Sequence, residues 1–308
     1  MFMGTPEFSI STLEALKDGG YNVETIITQP DKPKNRGQKM THPPVYDYAV
    51  ENNIKVFQPE NLKKENFEEI LINSNPDIII VTAYGKILPE YILNYPKYGC
   101  INVHASLLPK YRGAAPIQWS IINGENKTGI TIMYMEKGLD TGDMILKKEV
   151  DILSCDTYET LHNKLAFEGK SAIIDALKLI ELGNVNAQKQ DDACSSYAHM
   201  ITKETAKIDW TKSNDEIYNL VRGLYPFPKA MTFYNGKILK IIKTEQCLEK
   251  TDECAGKIIK TDKDSIFVSC GNKTVIKIKQ IQLEGKKSMS VKDFLVGNEI
   301  QTGIVLGK

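Results

Sequence analysis

The sequence predicts an α/β domain followed by a small β-barrel, and three observations point to this order. The chain begins with a strand, a helix and a second strand, which is the start of a parallel sheet. Residues 77–82 (DIIIVT) form a β-branched run typical of a strand buried on both faces. After residue 203 short alternating strands replace the long helices. We therefore expect domains over 1–183 and 203–308, joined by a linker over 184–202.

The elements of the first domain follow from apolar spacing and from the residues that end each run. No G-x-G-x-x-G follows the first strand, which excludes the standard dinucleotide-binding fingerprint. Ligands bind beyond the carboxyl ends of strands in an open α/β sheet, so we expect a site where strands 77–82, 100–104 and 128–135 end together. Other predicted strands are 2–3, 21–28 and 55–57, and the predicted helices are 8–17, 44–52, 61–73, 115–123 and 157–182.

The second domain has one predicted helix, over 213–224, and then several short strands. Five such strands within about 80 residues fit a small closed barrel, OB-like or similar. Many barrels of this kind bind oligonucleotides and many do not, so the fold alone leaves the function open. The predicted strands are 230–234, 237–245, 256–261, 265–269 and 274–283.

Composition indicates a globular chain, with 42% hydrophobic and 25% charged residues among 308. No run approaches the ~18 apolar residues that a membrane span requires. The start, MFMGTPEFS, has no signal- or transit-peptide features, and Lys, Asn and Ile are abundant, so we expect a bacterial cytoplasmic protein. The six cysteines contain no C-x-x-C pair and the four histidines no H-E-x-x-H, so no metal site is expected.

The charge of the chain is zero overall but unevenly distributed. Residues 1–202 carry 20 Lys and Arg against 26 Asp and Glu, a net of −6. Residues 203–308 carry 19 against 13, a net of +6. A basic final third favours a polyanionic partner, although drift in a lysine-rich composition gives the same pattern.

A second basic feature is the segment 29–39 (QPDKPKNRGQK), in which Pro and Gly exclude a helix or a central strand. Lys32, Lys34, Arg36 and Lys39 accompany a single acid, Asp31. A solvated surface loop explains this polarity by itself. The functional interpretation is an exposed basic arm suited to phosphates, although only a minority of such loops bind nucleic acid.

The run 98–143 contains the residues best suited to chemistry. Asn102 and His104 are two apart on a predicted strand, so their side chains leave the same face. Asp140 lies between two glycines, where the backbone can approach a ligand closely. Each residue by itself is more often a satisfied core residue or a turn former than a catalyst.

Taken together with motifs elsewhere in the chain, the motifs of this run resemble those of the 10-formyltetrahydrofolate-dependent formyltransferases. The similarity covers essentially the whole chain and holds the motifs in family order. They are N-x-H at 102–104, SLLP at 106–109, YRGAAP at 111–116, GLDTG at 138–142, GTPEF at 4–8, TQPD at 28–31 and VRGLYP at 221–226.

The resemblance implies a Rossmann-like formyltransferase domain followed by an OB-like, tRNA-binding C-terminal domain. It implies transfer of the formyl group of 10-formyltetrahydrofolate to the α-amino group of methionine on initiator tRNA. No metal and no membrane would be involved, and we expect a monomer. The residues that match the family motifs are Asn102, His104 and Asp140 for catalysis, Ser106, Leu107, Leu108 and Pro109 for folate, and Lys34, Arg36 and Lys39 for the tRNA acceptor arm.

Formyl transfer to an amine passes through a tetrahedral intermediate that carries an oxyanion, and each preorganised donor to it is worth ~3–4 kcal/mol. We favour Asn102 and His104 as donors, with Asp140 as the carboxylate that favours the protonated imidazole. Whether His104 or Asp140 takes the amine proton stays open. The alternatives are a formyltransferase acting on an amino sugar nucleotide, a 10-formyltetrahydrofolate hydrolase, and an inactive RNA-binding protein on the same scaffold; a glycinamide ribonucleotide formyltransferase would need no second domain of this kind.

Overall fold

A computed structural model describes residues 1–34 and 39–307, with backbone alone at 34 and 39. Two compact units divide the chain, and each is described by itself. The first takes residues 1–116, 127–151 and 162–199; the second takes 117–126, 152–161 and the chain from Met200 onward. The predicted fold class, a parallel-rich α/β domain followed by a small antiparallel β domain, is confirmed.

The first unit is built on a sheet in the order β10-β9-β7-β6-β1-β2-β5, seven strands within the described residues. The five strands from β7 to β5 are parallel, as expected for strands buried between helices. The bounds of the seven strands are β1 Phe2–Gly4, β2 Thr25–Ile27, β5 Lys55–Phe57, β6 Ile79–Thr82, β7 Cys100–His104, β9 Lys127–Tyr134 and β10 Met144–Asp151. Two further strands, β3 Lys32–Lys34 and β4 Lys39–Thr41, form a separate hairpin.

One expectation about this sheet is wrong. β9 runs antiparallel to β7, so Tyr134 pairs with Ile101 and the end of β9 lies away from the end of β7. Met135 donates its backbone N–H to the carbonyl of Cys100 at 2.8 Å, so the following loop starts beside the beginning of β7. The loop must fold back along β7 to bring Asp140 near His104. β10, which completes this antiparallel pair, was not predicted, because its charged residues alternate with half-buried ones at the sheet edge.

Helices cover the faces of this sheet and bury its apolar side chains. Phe67 and Leu71 of α3 pack with Ile79 and Val81 of β6 in one core cluster. No helix within the described parts of the chain is long and apolar enough to cross a bilayer. The helix bounds are α1 Phe8–Asp18, α2 Pro44–Glu51, α3 Lys64–Ser74, α4 Glu90–Leu93, α5 Pro116–Ile122 and α6 Tyr158–Glu181.

Residues 184–199, which we expected to be a linker, belong to the first unit up to His199. A short strand β11 (Tyr197–Ala198) pairs in parallel with β8 (Arg112–Gly113). Before it, a single 3₁₀ turn covers Asp192–Cys194. This segment therefore lies against the YRG motif, and its polar residues bond to that motif.

The second unit is an antiparallel sheet in the order β12-β13-β16-β15-β14, with β17 beside β16. Bulges between β13 and β16 bend the sheet, as a small barrel-like domain requires. The helix α7 (Asn214–Gly223) begins at a capping box formed by Ser213 and Glu216. The remaining bounds are β12 Ala230–Tyr234, β13 Lys237–Lys250, β14 Ile258–Thr261, β15 Ile266–Ser269, β16 Thr274–Leu283, β17 Met289–Ser290 and α8 Val291–Gly297.

Candidate active site

Asn102 and His104 lie on β7, in the interior of the first sheet. Both side chains are buried, and their pairing partners on β9 are Met133 and Thr131. The period of two along a strand places both side chains on one face, as the sequence predicts. The strand therefore presents an amide and an imidazole together.

The imidazole of His104 has one strong hydrogen bond and one charged neighbour. Its Nε2 lies 2.9 Å from the carbonyl oxygen of Tyr111. A carbonyl can only accept, so Nε2 carries the hydrogen in this bond. Nδ1 faces Oδ2 of Asp140 at 3.7 Å, which is within ion-pair range but too long for a hydrogen bond. In the neutral ring Nδ1 is therefore an available acceptor.

Asp140 is held in place by backbone. Its Oδ2 accepts a hydrogen bond of 2.8 Å from the N–H of Gly113. Its own backbone has φ +53°, in the left-handed region that residues other than glycine adopt rarely. The loop therefore holds Asp140 in an uncommon conformation, with its carboxylate between Gly113 and His104.

The amide of Asn102 differs from most buried polar groups. The side chain is 8% exposed and has no hydrogen-bond partner among the described residues, while its amide atoms keep some access to solvent. Buried amides are nearly always bonded. An unpartnered donor beside His104 is therefore free to bond to a ligand.

The SLLP segment is anchored directly after β7. Ser106 donates its hydroxyl to the carbonyl of Lys110 at 2.6 Å, and its own carbonyl accepts from the Thr131 hydroxyl at 2.7 Å. Leu108 packs in a small cluster with Met133 and Met144. Leu107 and Pro109 remain half-buried. The Ser106 and Leu108 side chains thus shape the turn, and Leu107 and Pro109 are accessible to a ligand.

Sequence reasoning missed two residues beside the site, Gln190 and the guanidinium of Arg112. Gln190 donates to the carbonyls of Asp140 and Gly142 and accepts from Arg112, which is 2% exposed. Arg112 lies in the YRG motif, but no spacing in the sequence indicated its partner. Gln190 lies in the polar run KQDD, where no periodicity distinguishes one residue from its neighbours.

The burial of two groups near the site changes their acidity. Burial raises the pKa of the Cys100 thiol to about 12, so this cysteine is a neutral core residue and not a nucleophile. Burial also raises the pKa of Tyr84, after β6, to about 12. No group of three or more His, Cys, Asp or Glu that could hold a metal ion occurs in the described parts of the chain.

The predicted basic arm is described in part. Arg36 lies outside the described residues, and the backbone of Lys34 pairs with that of Lys39 at the end of the β3–β4 hairpin. The base of this hairpin is fixed by Asp31, which bonds to Gln58 at 2.7 Å and to Nδ1 of His42 at 2.9 Å. These two bonds, that of Gln58 first, hold the pKa of Asp31 below its ordinary value.

The lysines of the second unit fall into two groups. Lys257, Lys260, Lys273 and Lys279 each form an ion pair with a carboxylate. Other lysines have no carboxylate within 4.0 Å among residues 39–307. They include Lys237, Lys240 and Lys243 on β13 and Lys286 and Lys287 after β16. Part of the unpaired charge of this unit therefore lies on and around β13.

Two surface cavities of about 850 Å³ and 860 Å³ lie away from these residues. One is lined by the end of α8 and the chain after it, and the other by Asn22, Asn53 and Glu69 among others. Neither contains a predicted site residue. The candidate site is thus defined by its converging polar groups.

The site of the first unit combines a strand-borne amide and imidazole with a carboxylate on a glycine loop, on a parallel-rich α/β sheet. Two family models match this chain. The model described as formyl transferase matches residues 1–177, and the model described as formyl transferase, C-terminal domain, matches residues 200–299. The chain therefore belongs to the formyl transferase family, which confirms the resemblance found in its motifs.

Relatives within the family are similar along their whole length. The chain is 50% identical over 308 residues to a methionyl-tRNA formyltransferase from Alkaliphilus oremlandii, covering 100% of this chain and 99% of the relative. It is 48% identical over 307 residues to a methionyl-tRNA formyltransferase from Clostridioides difficile, covering 100% and 99%. A solved N-formyltransferase from Helicobacter canadensis shares the fold, with a TM-score of 0.64, 20% identity and coverage of 90% and 97%.

Proposed function

We propose that this protein transfers the formyl group of 10-formyltetrahydrofolate to the α-amino group of methionine on initiator tRNA, giving formylmethionyl-tRNA for translation initiation. The observation that carries the proposal is the match to methionyl-tRNA formyltransferases at 50% identity along the full length of both chains. A folate donor is further supported by the Helicobacter canadensis structure, which contains folinic acid. No metal takes part in the proposed reaction.

In the proposed reaction the methionine amine attacks the formyl carbon, and the carbonyl oxygen becomes an oxyanion. The carbon–nitrogen bond to the folate then breaks, as the folate nitrogen takes up a proton and the amine loses one. Asn102 donates its unpartnered amide N–H to the oxyanion. One such donor, placed where charge develops, lowers the activation barrier by ~3–4 kcal/mol.

His104 is the proposed proton acceptor. Its Nε2 hydrogen is bonded to the carbonyl of Tyr111, so a neutral ring has no second N–H for an oxyanion. In the neutral ring Nδ1 carries no hydrogen and is available to the amine, directly or through a water molecule. Asp140, 3.7 Å away, stabilises the imidazolium that forms. The same Nδ1 proton then passes to the folate nitrogen.

The folate-binding role of Ser106, Leu107, Leu108 and Pro109 is part of the same proposal. The turn they form follows directly after His104, so a ligand held there lies next to the proposed catalytic groups. The bonds between Thr131 and the turn keep it rigid. The half-buried Leu107 and Pro109 supply the apolar contacts.

The tRNA contacts are proposed from charge. Lys34, Arg36 and Lys39 lie on the basic arm, which we assign to the acceptor arm of the tRNA. The second domain, proposed over 203–308, contributes the unpaired lysines around β13. Phosphate contacts of this kind give affinity without reading sequence. We place the reaction in the bacterial cytoplasm, since both relatives named above come from bacteria; a monomer stays a prediction.

The test is an acceptor comparison with the purified full-length protein and 10-formyltetrahydrofolate. We expect formylmethionine on initiator Met-tRNA, and no comparable product with unacylated tRNA or with an amino sugar nucleotide. Formylation of the sugar nucleotide instead would favour the class of the Helicobacter canadensis structure, which was solved with dTDP-3-aminofucose. Formate release without an acceptor would indicate a hydrolase. Absence of any turnover with tRNA binding intact would indicate an inactive RNA-binding protein.

A further inference from the structure

The side-chain amide of Gln190 joins the Asp140 loop to a buried arginine. Its Nε2 lies 2.8 Å from the carbonyl oxygen of Asp140 and 2.8 Å from that of Gly142. Its Oε1 accepts from Nε of Arg112 at 3.0 Å and from Nη2 at 2.8 Å. All four hydrogen-bonding positions of the amide are therefore occupied.

These partners allow only one orientation of the amide. The two loop carbonyls only accept and the guanidinium only donates, so a flipped amide would place like groups against each other at both ends. Arg112 is fixed in turn by Asp192, whose Oδ1 lies 2.8 Å from Nη2. The guanidinium thus orients Gln190, and Gln190 holds the loop.

The backbone of the loop is constrained at two positions. Asp140 has φ +53°, in the small left-handed region that few residues other than glycine, Asn and Asp adopt. At Gly142 an added Cβ would lie 1.9 Å from the carbonyl oxygen of Tyr134, so the chain there is closely packed. The bonds from Gln190 reach both of these residues. They therefore stabilise the conformation that points the Asp140 carboxylate at Gly113 and His104.

We propose that Gln190, oriented by Arg112, is a positioning residue that fixes the Asp140 carboxylate beside Nδ1 of His104. It touches neither substrate nor reacting atoms and acts through Asp140. The kinetic part of this inference rests on the proposed function, while the loop-holding part rests on geometry alone. A misplacement of about 1 Å in such a group lowers a rate by up to ~10²-fold.

The structural test is hydrogen exchange of the Gly113 amide, which donates to Asp140 in the full-length protein. In Gln190→Ala and Gln190→Glu we expect this amide to exchange at least about tenfold faster, because a loosened loop releases it. Amides in the interior of β7 keep their protection, which shows that the fold is intact. The control is Gln188→Ala, an exposed glutamine two residues earlier whose side chain has no bond within the described chain. Unchanged exchange at Gly113 in both Gln190 variants would overturn the proposal.

The kinetic test compares the same variants in formyl transfer. We expect kcat to fall ~10- to 100-fold in Gln190→Ala, with both KM values within about twofold of wild type. Gln190→Glu keeps an acceptor for Arg112 but loses the donors to both carbonyls, so we expect an equal loss. Full activity in Gln190→Glu would mean that neutralising Arg112 is the real role, and would overturn the proposal.

A double variant separates positioning from an independent effect. If Gln190 acts through Asp140, Gln190→Ala adds less than about a twofold loss in an Asp140→Asn background. Losses that multiply in full would contradict the proposal. Failure of the wild-type protein to formylate Met-tRNA would refute the proposed function instead, and the exchange experiment would still decide the role of Gln190.

Discussion

Polar side chains differ in their hydrogen bonding between the candidate site of the first unit and the core of the second unit. In the second unit the indole N–H of Trp210 donates to the Thr232 hydroxyl at 3.0 Å. The side chain of Asn214 there donates to two strand carbonyls, at 3.2 Å and 3.3 Å. In the first unit the amide of Asn102 has no partner within the described chain, and Nδ1 of His104 has no hydrogen bond.

The difference concerns the polar groups that we propose for catalysis. An unsatisfied buried polar group costs about 1–3 kcal/mol. In the core of the second unit Trp210 and Asn214 are bonded, while the buried Thr244 hydroxyl has no partner within the described chain. The first unit keeps an amide and a ring nitrogen unpaired where the proposed substrates meet. Variants in the two regions should therefore separate activity from stability.

The largest expected effect is on catalysis at His104. We expect His104→Ala to lower kcat by about 10³-fold, because the proposed proton acceptor is lost. The melting temperature should change by only a few degrees, since one hydrogen bond, to Tyr111, disappears. Steady-state kinetics with initiator Met-tRNA and thermal unfolding followed by circular dichroism measure the two quantities. A rate close to wild type would exclude the proposed role.

The second effect is on stability at Ile276, which is fully buried on β16. We expect Ile276→Ala to lower the free energy of unfolding by ~2–5 kcal/mol, because it removes apolar contacts and leaves a cavity. Urea unfolding measures this loss. The matched control is Leu248→Ala, at a side chain that is 99% exposed, where we expect almost no change. Equal losses at both positions would contradict the assignment of the core.

A smaller effect concerns the two groups of lysines in the second unit. We expect the double change Lys240→Ala and Lys243→Ala to raise KM for tRNA by about tenfold at physiological salt. The salt dependence of binding should become shallower, by a slope of ~0.7–0.9 for each phosphate that is no longer neutralised. The control removes two ion-paired lysines, Lys257 and Lys260, in the same way. An identical loss in both double variants would mean that position within the unit does not matter.

The smallest effect is the pH response of one surface pair. Hydrogen bonds from Lys279 and then Ser265 lower the pKa of Asp264 from 3.8 to about 2. A carboxyl whose folded pKa is depressed contributes stability above its unfolded value and loses it as the pH falls between about 4 and 2. Urea midpoints of wild type and Asp264→Asn should therefore differ slightly at pH 5 and converge near pH 2. A constant difference across this range would contradict the pairing.

The sequence predicted the local geometry of the proposed site residues better than it predicted the path of the chain between them. A spacing of two on a strand was enough to place Asn102 and His104 on one face, because side chains alternate along any strand. The loop with Asp140 was found from its glycines and from its family motif. Its route was not predicted, because apolar alternation is the same in parallel and antiparallel strands. The direction of β9 depends on its neighbour and not on its own residues.

The segment 184–199 makes a contact that the sequence could not predict. Its polar residues without periodicity indicated a linker, and the sequence contains no sign that Gln190 meets Arg112, 78 positions earlier. Such a contact forms only when β11 is laid beside β8. Hydrogen bonds between distant segments leave no local pattern, so reasoning from spacing cannot find them.

The sequence by itself determined most of the longer elements, the two-part organisation and the side chains proposed for formyl transfer, because these depend on local periodicity and residue chemistry. The tertiary structure decided how the groups meet. It set the antiparallel direction of β9, the tautomer of His104 through the carbonyl of Tyr111, and the hold of Gln190 on the Asp140 loop. The direction of β9 and the bonds of Gln190 depend on residues far apart in the chain, and the bond of His104 to Tyr111 depends on the path of the loop between them; all are fixed only when the domain is packed.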